Sequence, residues 1–163
     1  MTNMKNIITS HNKAVLNRKH SHTPQTSKTC NCRVKETCPL NGQCLTECVV
    51  YRATVTQSLT HKKDMYIGMT ENTFKARFTQ HKSSFKLAHD RKRTTLSEHI
   101  WDLKDRNVEY SITWDILKHL SPIRPTDTIC QLCLQEKLSI IRENPSLNKR
   151  NEMFGRCPHR KKA

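Results

Sequence analysis

Short-range cysteine spacing is the feature that most limits how this chain can fold. Cys30-x-Cys32 is followed by Cys38 and Cys44 in CPLNGQC, and much later come Cys130-x-x-Cys133 and Cys157-x-His159. The N-terminus carries no apolar stretch of the kind that directs secretion, so the thiols are expected to stay reduced and to serve as metal ligands rather than as a disulfide framework. Zinc is the default ion for such a set. Two tetrahedral sites need eight donors, and these pairs supply them with Cys48 left over as a core residue. The simplest pairing puts Cys30, Cys32, Cys38 and Cys44 on one ion and Cys130, Cys133, Cys157 and His159 on another. A mixed pairing, Cys38 and Cys44 with Cys130 and Cys133, stays open, as does one ion rather than two. Cys133 could also be a plain core residue. Gly42 at the tip of CPLNGQC suits a knuckle-like loop around a metal.

Composition explains why metal would be needed. Only 34% of the 163 residues are hydrophobic and the mean hydropathy is −0.77. That bounds the chain to one domain with a thin core, plus tails, and metal binding would add folding energy that such a core lacks. A net charge of +15 makes a field that draws polyanions, nucleic acid foremost, although charge that merely keeps a protein soluble is the plainer alternative. No run of about 18 apolar residues occurs, so no membrane span is expected, and the chain reads as intracellular and not secreted. Residues 1–29, with Lys5, Lys13, Arg18, Lys19 and Lys28 and no acidic residue, read as a basic disordered arm or linker. Residues 30–48 form a cysteine-rich zinc-binding segment, and 49–163 the main domain.

Periodicity gives the element order. VVYRATVTQ (49–57) alternates as a strand, HKKD is a turn, and MYIGM is a short antiparallel partner. Phe74, Phe78 and Phe85 recur at helical spacing, predicting an amphipathic helix over 72–88. TLSE (95–98) matches a capping box for a second helix ending near Arg106, with Ile100, Trp101 and Leu103 buried. Val108, Tyr110, Ile112, Trp114 and Ile116 fall on one face of a third strand. A third helix is expected from about Asp127 to Glu143, stopped by Asn144-Pro145. The fold class is α+β, a small, mainly antiparallel sheet flanked by helices.

Several residues in this frame carry a resemblance. VVY (49–51), YIG (66–68), Arg77 and His81 in RFTQH, Glu136 in LQEKLSII and Asn148 in SLNKRNE resemble, in order and spacing, the motifs of the GIY-YIG nucleases. More narrowly, CPLNGQCL, YIGMTENTFKARFTQHKSSFK, LSEHIWDLK and ICQLCLQEKL are similar to the endonuclease domain of Penelope-like retroelements, over roughly residues 30–160. The first motif departs from the family pattern, with Val49 and Val50 where Gly and Ile give the family its name. The resemblance implies the GIY-YIG fold and phosphodiester hydrolysis with one Mg²⁺.

Such hydrolysis needs a base for water, a cation on the non-bridging oxygens and help for the leaving alkoxide. Glu136 would ligate Mg²⁺, and Arg77 would take the scissile phosphate. Tyr51 is the base that the resemblance favours, with Tyr66 and His81 as competitors; nearby positive charge would have to depress the phenol for that role. Asn148 would position Glu136 or the phosphate, and Gly68 would let backbone approach the substrate. Taken singly these residues have plainer readings: packed strand tyrosines, a solvated helix face, a turn asparagine.

The retroelement role implied is nicking of target DNA to expose a 3′-OH for reverse transcription, in the nucleus, beside a reverse transcriptase of the parent element. Two other readings stay open. One is a cellular structure-specific nuclease of the same family; the other is a zinc-dependent DNA-binding module that has lost catalysis.

Overall fold

The computed structural model describes residues 29–122, 129–149 and Cys157. The basic arm, the start expected for the third helix at Asp127, and His159 lie outside the described residues. The sheet is organised around β1 (Val49–Gln57), whose alternate residues Val49, Tyr51, Ala53 and Val55 are wholly buried. On one side it pairs antiparallel with β2 (Lys63–Thr70), matching Tyr51 to Gly68 and Ala53 to Tyr66. On the other side lies β3 (Tyr110–His119), also antiparallel, with Tyr51 opposite Ile116 and Ala53 opposite Trp114. The strand order is β2-β1-β3, and a register shift between Val50 and Tyr51 marks a bulge on the β3 side.

Helix α1 (Phe74–Ser84) is shorter at both ends than the 72–88 expected from its phenylalanines. Thr73 caps its start by accepting from Ala76 N. At its end the Ser83 carbonyl takes the N–H of both Lys86 and Leu87, which closes the last turn and releases the chain. Helix α2 (Thr95–Asp105) is capped one residue earlier than the TLSE motif suggests: Thr94, not Thr95, accepts from Ser97 N at 3.0 Å. Glu98 instead bonds Lys149 Nζ at 2.7 Å. Leu96, Ile100 and Leu103 are its buried apolar residues, each worth about 1.5–3 kcal/mol on burial. Trp101 is only half-buried and donates its indole N–H to the Ser84 carbonyl.

Helix α3 (Gln131–Glu143) starts after Cys130, its N-cap, and stops at Asn144, which takes the left-handed conformation (φ 44°) ahead of Pro145. The element order ββααβα is the expected one. Helices cover both faces of the sheet. Phe74 and Phe85 of α1 and its end pack with Leu96, Ile100 and Leu103 of α2 on the Tyr51 face, while Leu132 and Ile140 of α3 pack on Val50 and Ile67 of the other. Among the described residues no helix is long and apolar enough to cross a membrane.

Candidate functional site

Tyr51 sits mid-sheet on the face that α1 covers, and α1 brings Arg77 and His81 to it from the same side. Its phenol oxygen lies 2.8 Å from His81 Nε2 and accepts from Arg77 Nε at 3.0 Å. Arg77 also hydrogen-bonds Tyr66 and donates through Nη1 to Gln80 Oε1. Tyr66, Phe85 and Trp114 pack around the imidazole, which is itself buried. The spacing of Arg77 and His81 by four residues puts both on this flank of the helix.

Electrostatics follow from burial. His81 is held down to about 3 by burial and by the positive charges of Arg77 and Arg93, so it is neutral near pH 7. A neutral imidazole lets Nε2 accept the Tyr51 hydrogen while the Tyr51 oxygen accepts from Arg77 Nε. The Tyr51 phenol is raised above its ordinary value: burial dominates, the adjacent Arg77 opposes it, and Glu136 adds to it. The depression expected from Arg77 is therefore present but outweighed, because Tyr51 has no exposed surface. Arg77 is raised as well; burial opposes its charge, and the Tyr51 and Tyr66 hydroxyls more than offset that. Glu136, half-buried on α3, is within electrostatic reach of Tyr51.

Gly68 has a steric task within the fold. A Cβ there would sit 2.6 Å from the Tyr51 hydroxyl and 2.9 Å from Tyr66 Cε1, so the missing side chain makes room for the two tyrosines. Asn148 likewise has a local task. Its carboxamide accepts from Ile67 N and donates to Ile67 O, both at 2.8 Å, pinning the outer edge of β2 as a short strand would.

The cysteines fall into the simplest of the expected groupings. Cys30, Cys32, Cys38 and Cys44 converge with all sulfurs within 4.8 Å of one another, and Cys130, Cys133 and Cys157 form a second such group. The mixed pairing is not found among the described residues. In the first group the separations are 3.7 Å for Cys30–Cys38, 3.7 Å for Cys32–Cys44 and 3.5 Å for Cys44–Cys30. A tetrahedral Zn–S₄ centre with bonds near 2.3 Å requires S···S of about 3.8 Å, which these nearly match. Gly42, at φ 92°, turns the loop so that its N–H donates to Cys38 Sγ at 3.1 Å. Burial would raise the Cys38 thiol, but the Leu40 and Gly42 N–H groups outweigh it and bring it to about 6. Burial and the neighbouring thiols push Cys44 up to about 12. Such a set cannot ionise together without a cation among its sulfurs, so the donor chemistry fits a metal.

In the second group Cys130 Sγ caps α3 by accepting from Cys133 N, and Cys133 Sγ is 3.2 Å from Cys157 Sγ. Cys133 is buried yet belongs to this group, whereas Cys48 is buried outside both.

One buried polar cluster escaped the sequence reading. Asp64 accepts from Ser146 Oγ at 3.2 Å and lies 3.4 Å from His99 Nε2. Asp64 belongs to HKKD, expected as a turn, but β2 starts at Lys63 and sets Asp64 opposite the buried Val55. Comparison with protein-family models, with curated proteins and with solved structures returns no match.

Proposed function

We propose that this chain is a Mg²⁺-dependent DNA endonuclease of the GIY-YIG kind, similar to the domain of Penelope-like retroelements, with structural zinc in its cysteine clusters. One observation carries the reading: two strands and a helix gather Tyr51, Tyr66, Arg77 and His81 into one group over Gly68, with Glu136 in electrostatic reach. Arg77 is the cation for the scissile phosphate, its Nε fixed on Tyr51 so that the guanidinium plane is held in place. His81 is the weakest of the three candidate bases, since an imidazole at about 3 holds a proton poorly near neutrality. Its part is to accept the Tyr51 hydrogen: a Tyr51 phenol that takes the water's proton at its oxygen passes its own to His81 Nε2, and Tyr66 is the other candidate phenol. A half-buried carboxylate such as Glu136 fits a hard cation that keeps most of its waters. That cation would supply Lewis-acid stabilisation of the departing alkoxide. In the retroelement setting the product is a nick whose 3′-OH primes a reverse transcriptase, in the nucleus.

A second reading, a DNA-binding module without catalysis, draws on the complete burial of Tyr51. Supercoiled plasmid separates the two. Zinc-loaded protein is expected to nick it in Mg²⁺ and not in brief EDTA, and folded Glu136→Ala to be slower by on the order of a hundredfold or more. Folded wild type that binds plasmid and branched DNA but cuts neither would replace the nuclease with the binding module.

A further inference from the structure

The flank of α1 turned away from Arg77 forms one wall of a groove of about 480 Å³, whose other wall is the cysteine knuckle at Thr37 and Pro39. Lys75, Lys82 and Lys86 line it together with Phe78, and no carboxylate does. Lys75, Thr79 and Lys82 follow one another at helical spacing, so their side chains form a single row about 10 Å long. Lys86 extends that row just past the helix end.

These three lysines, like several other described cations, meet no carboxylate in an ion pair among the described residues, but they alone line up in one groove. Arg52, Lys62, Arg91, Arg93, Arg106, Arg142 and Lys149 each stand in an ion pair. None of the ion pairs among the described residues includes Lys75, Lys82 or Lys86. Lys75 instead reaches Asn31 of the knuckle at 2.5 Å, and Lys82 lies 5.5 Å over the Phe78 ring. Both contacts hold an ammonium group at the groove without cancelling its charge.

We propose that this groove is the track for a DNA duplex's phosphate backbone beside the cleavage point, with Lys75, Lys82 and Lys86 as its phosphate contacts. The inference rests on the nuclease reading and deepens it. Duplex DNA carries a negative charge for about every 1.7 Å of axis, so a row of this length always meets phosphates whatever the sequence. Lys75 and Arg77 project from opposite sides of α1, which places the groove about a helix diameter, roughly 10 Å, from the guanidinium. Phosphates held there position the duplex and take no part in the chemistry.

The test measures binding of a fluorescent duplex across a salt series without Mg²⁺, and nicking with it, on the full chain. One variant combines Lys75→Gln, Lys82→Gln and Lys86→Gln. A control removes the same charge outside the groove through Lys63→Gln, Lys118→Gln and Arg142→Gln, and zinc content and thermal melting confirm that both fold. The groove variant is expected to lower the log–log salt slope by about 2.7, or 0.9 per lost contact, and to raise KM with kcat unchanged. The control should change the slope far less. Equal losses in the two variants overturn the groove, as does a groove variant that binds DNA like wild type, which would leave the groove to an acidic polypeptide. Wild type that binds no DNA at low salt defeats the nuclease reading itself, an outcome distinct from either.

Discussion

The two cysteine clusters both stand at the foot of a helix that carries a candidate site residue, but they hold their helices differently. The first lies outside α1 and grips it through backbone: Phe74 N donates to the Thr46 carbonyl and Lys75 N to the Cys44 carbonyl, at 2.8 and 2.7 Å. The N–H groups that a helix start leaves without internal partners are thus supplied by the knuckle. The second cluster is built into α3, with Cys130 as its N-cap and Cys133 in its first turn, and among the described residues it reaches out to Cys157. In the first case metal would organise a loop that has little other reason to fold; in the second it would fasten a later segment onto a helix that already packs through Leu132 and Ile140. Arg77 therefore depends on its cluster more than Glu136 does on its own.

Breaking one thiol in each cluster tests that difference, beginning with the largest effect. Cys44→Ser removes a fully buried thiol of the first group, and if that group holds zinc the loss is expected to be several kcal/mol, a large share of the stability of a domain this size. Native mass spectrometry should show one zinc fewer, and the melting transition should fall steeply or vanish. Cys157→Ser should also cost one zinc but only about 2–3 kcal/mol, with the sheet and α1 still folded. Equal destabilisation by the two substitutions would erase the distinction.

Acid probes α1 from its buried side. The His81 imidazole is at about 3 in the folded chain against about 6.5 when unfolded, so the unfolded state binds the proton first. The stability this neutral group contributes is present above about pH 6.5 and is lost as pH falls toward 3. Between pH 6.5 and 5 the loss is about 1.6 kcal/mol, the slope rising toward about 1.4 kcal/mol per unit as the unfolded imidazole takes up its proton. Zinc that the cysteine groups would hold is released in acid from wild type and from His81→Gln alike, so the difference between their urea midpoints isolates the imidazole. A variant as acid-sensitive as wild type would show that His81 carries none of the effect. A residual slope is expected from His99, which burial also lowers.

Much of this was legible because it is local. The first cluster closes within CxC and CPLNGQC, the first and third strands announce themselves by alternation, and Asn144-Pro145 ends α3 by backbone chemistry alone. What escaped depends on distance and depth. The Tyr51 oxygen, Arg77 Nε and His81 Nε2 come from separate elements, and nothing in their spacing tells that burial will outweigh Arg77 at the phenol. Asn148 stood out in the sequence as a polar residue, yet its attachment to the Ile67 backbone belongs to the chain's return along β2. The capping box slipped by one residue because Thr94 and Thr95 both offer a hydroxyl, and only the Thr94 backbone is extended there.

The smallest effect sharpens the comparison most, because it separates backbone grip from side-chain grip. Lys75 adds one side-chain link between α1 and the knuckle, its ammonium on Asn31 Oδ1 at 2.5 Å, above the two carbonyl contacts. If the carbonyls do the holding, Lys75→Met keeps the helix stem packed, keeps zinc bound and lowers stability by only about 0.5–1 kcal/mol, as expected for an exposed charged contact. Hydrogen exchange at Phe74 and Lys75 N–H then stays as slow as in wild type. Fast exchange at those two amides would show that the ammonium, rather than the knuckle's backbone, fixes the start of α1, and Arg77 would owe its place to a single surface contact.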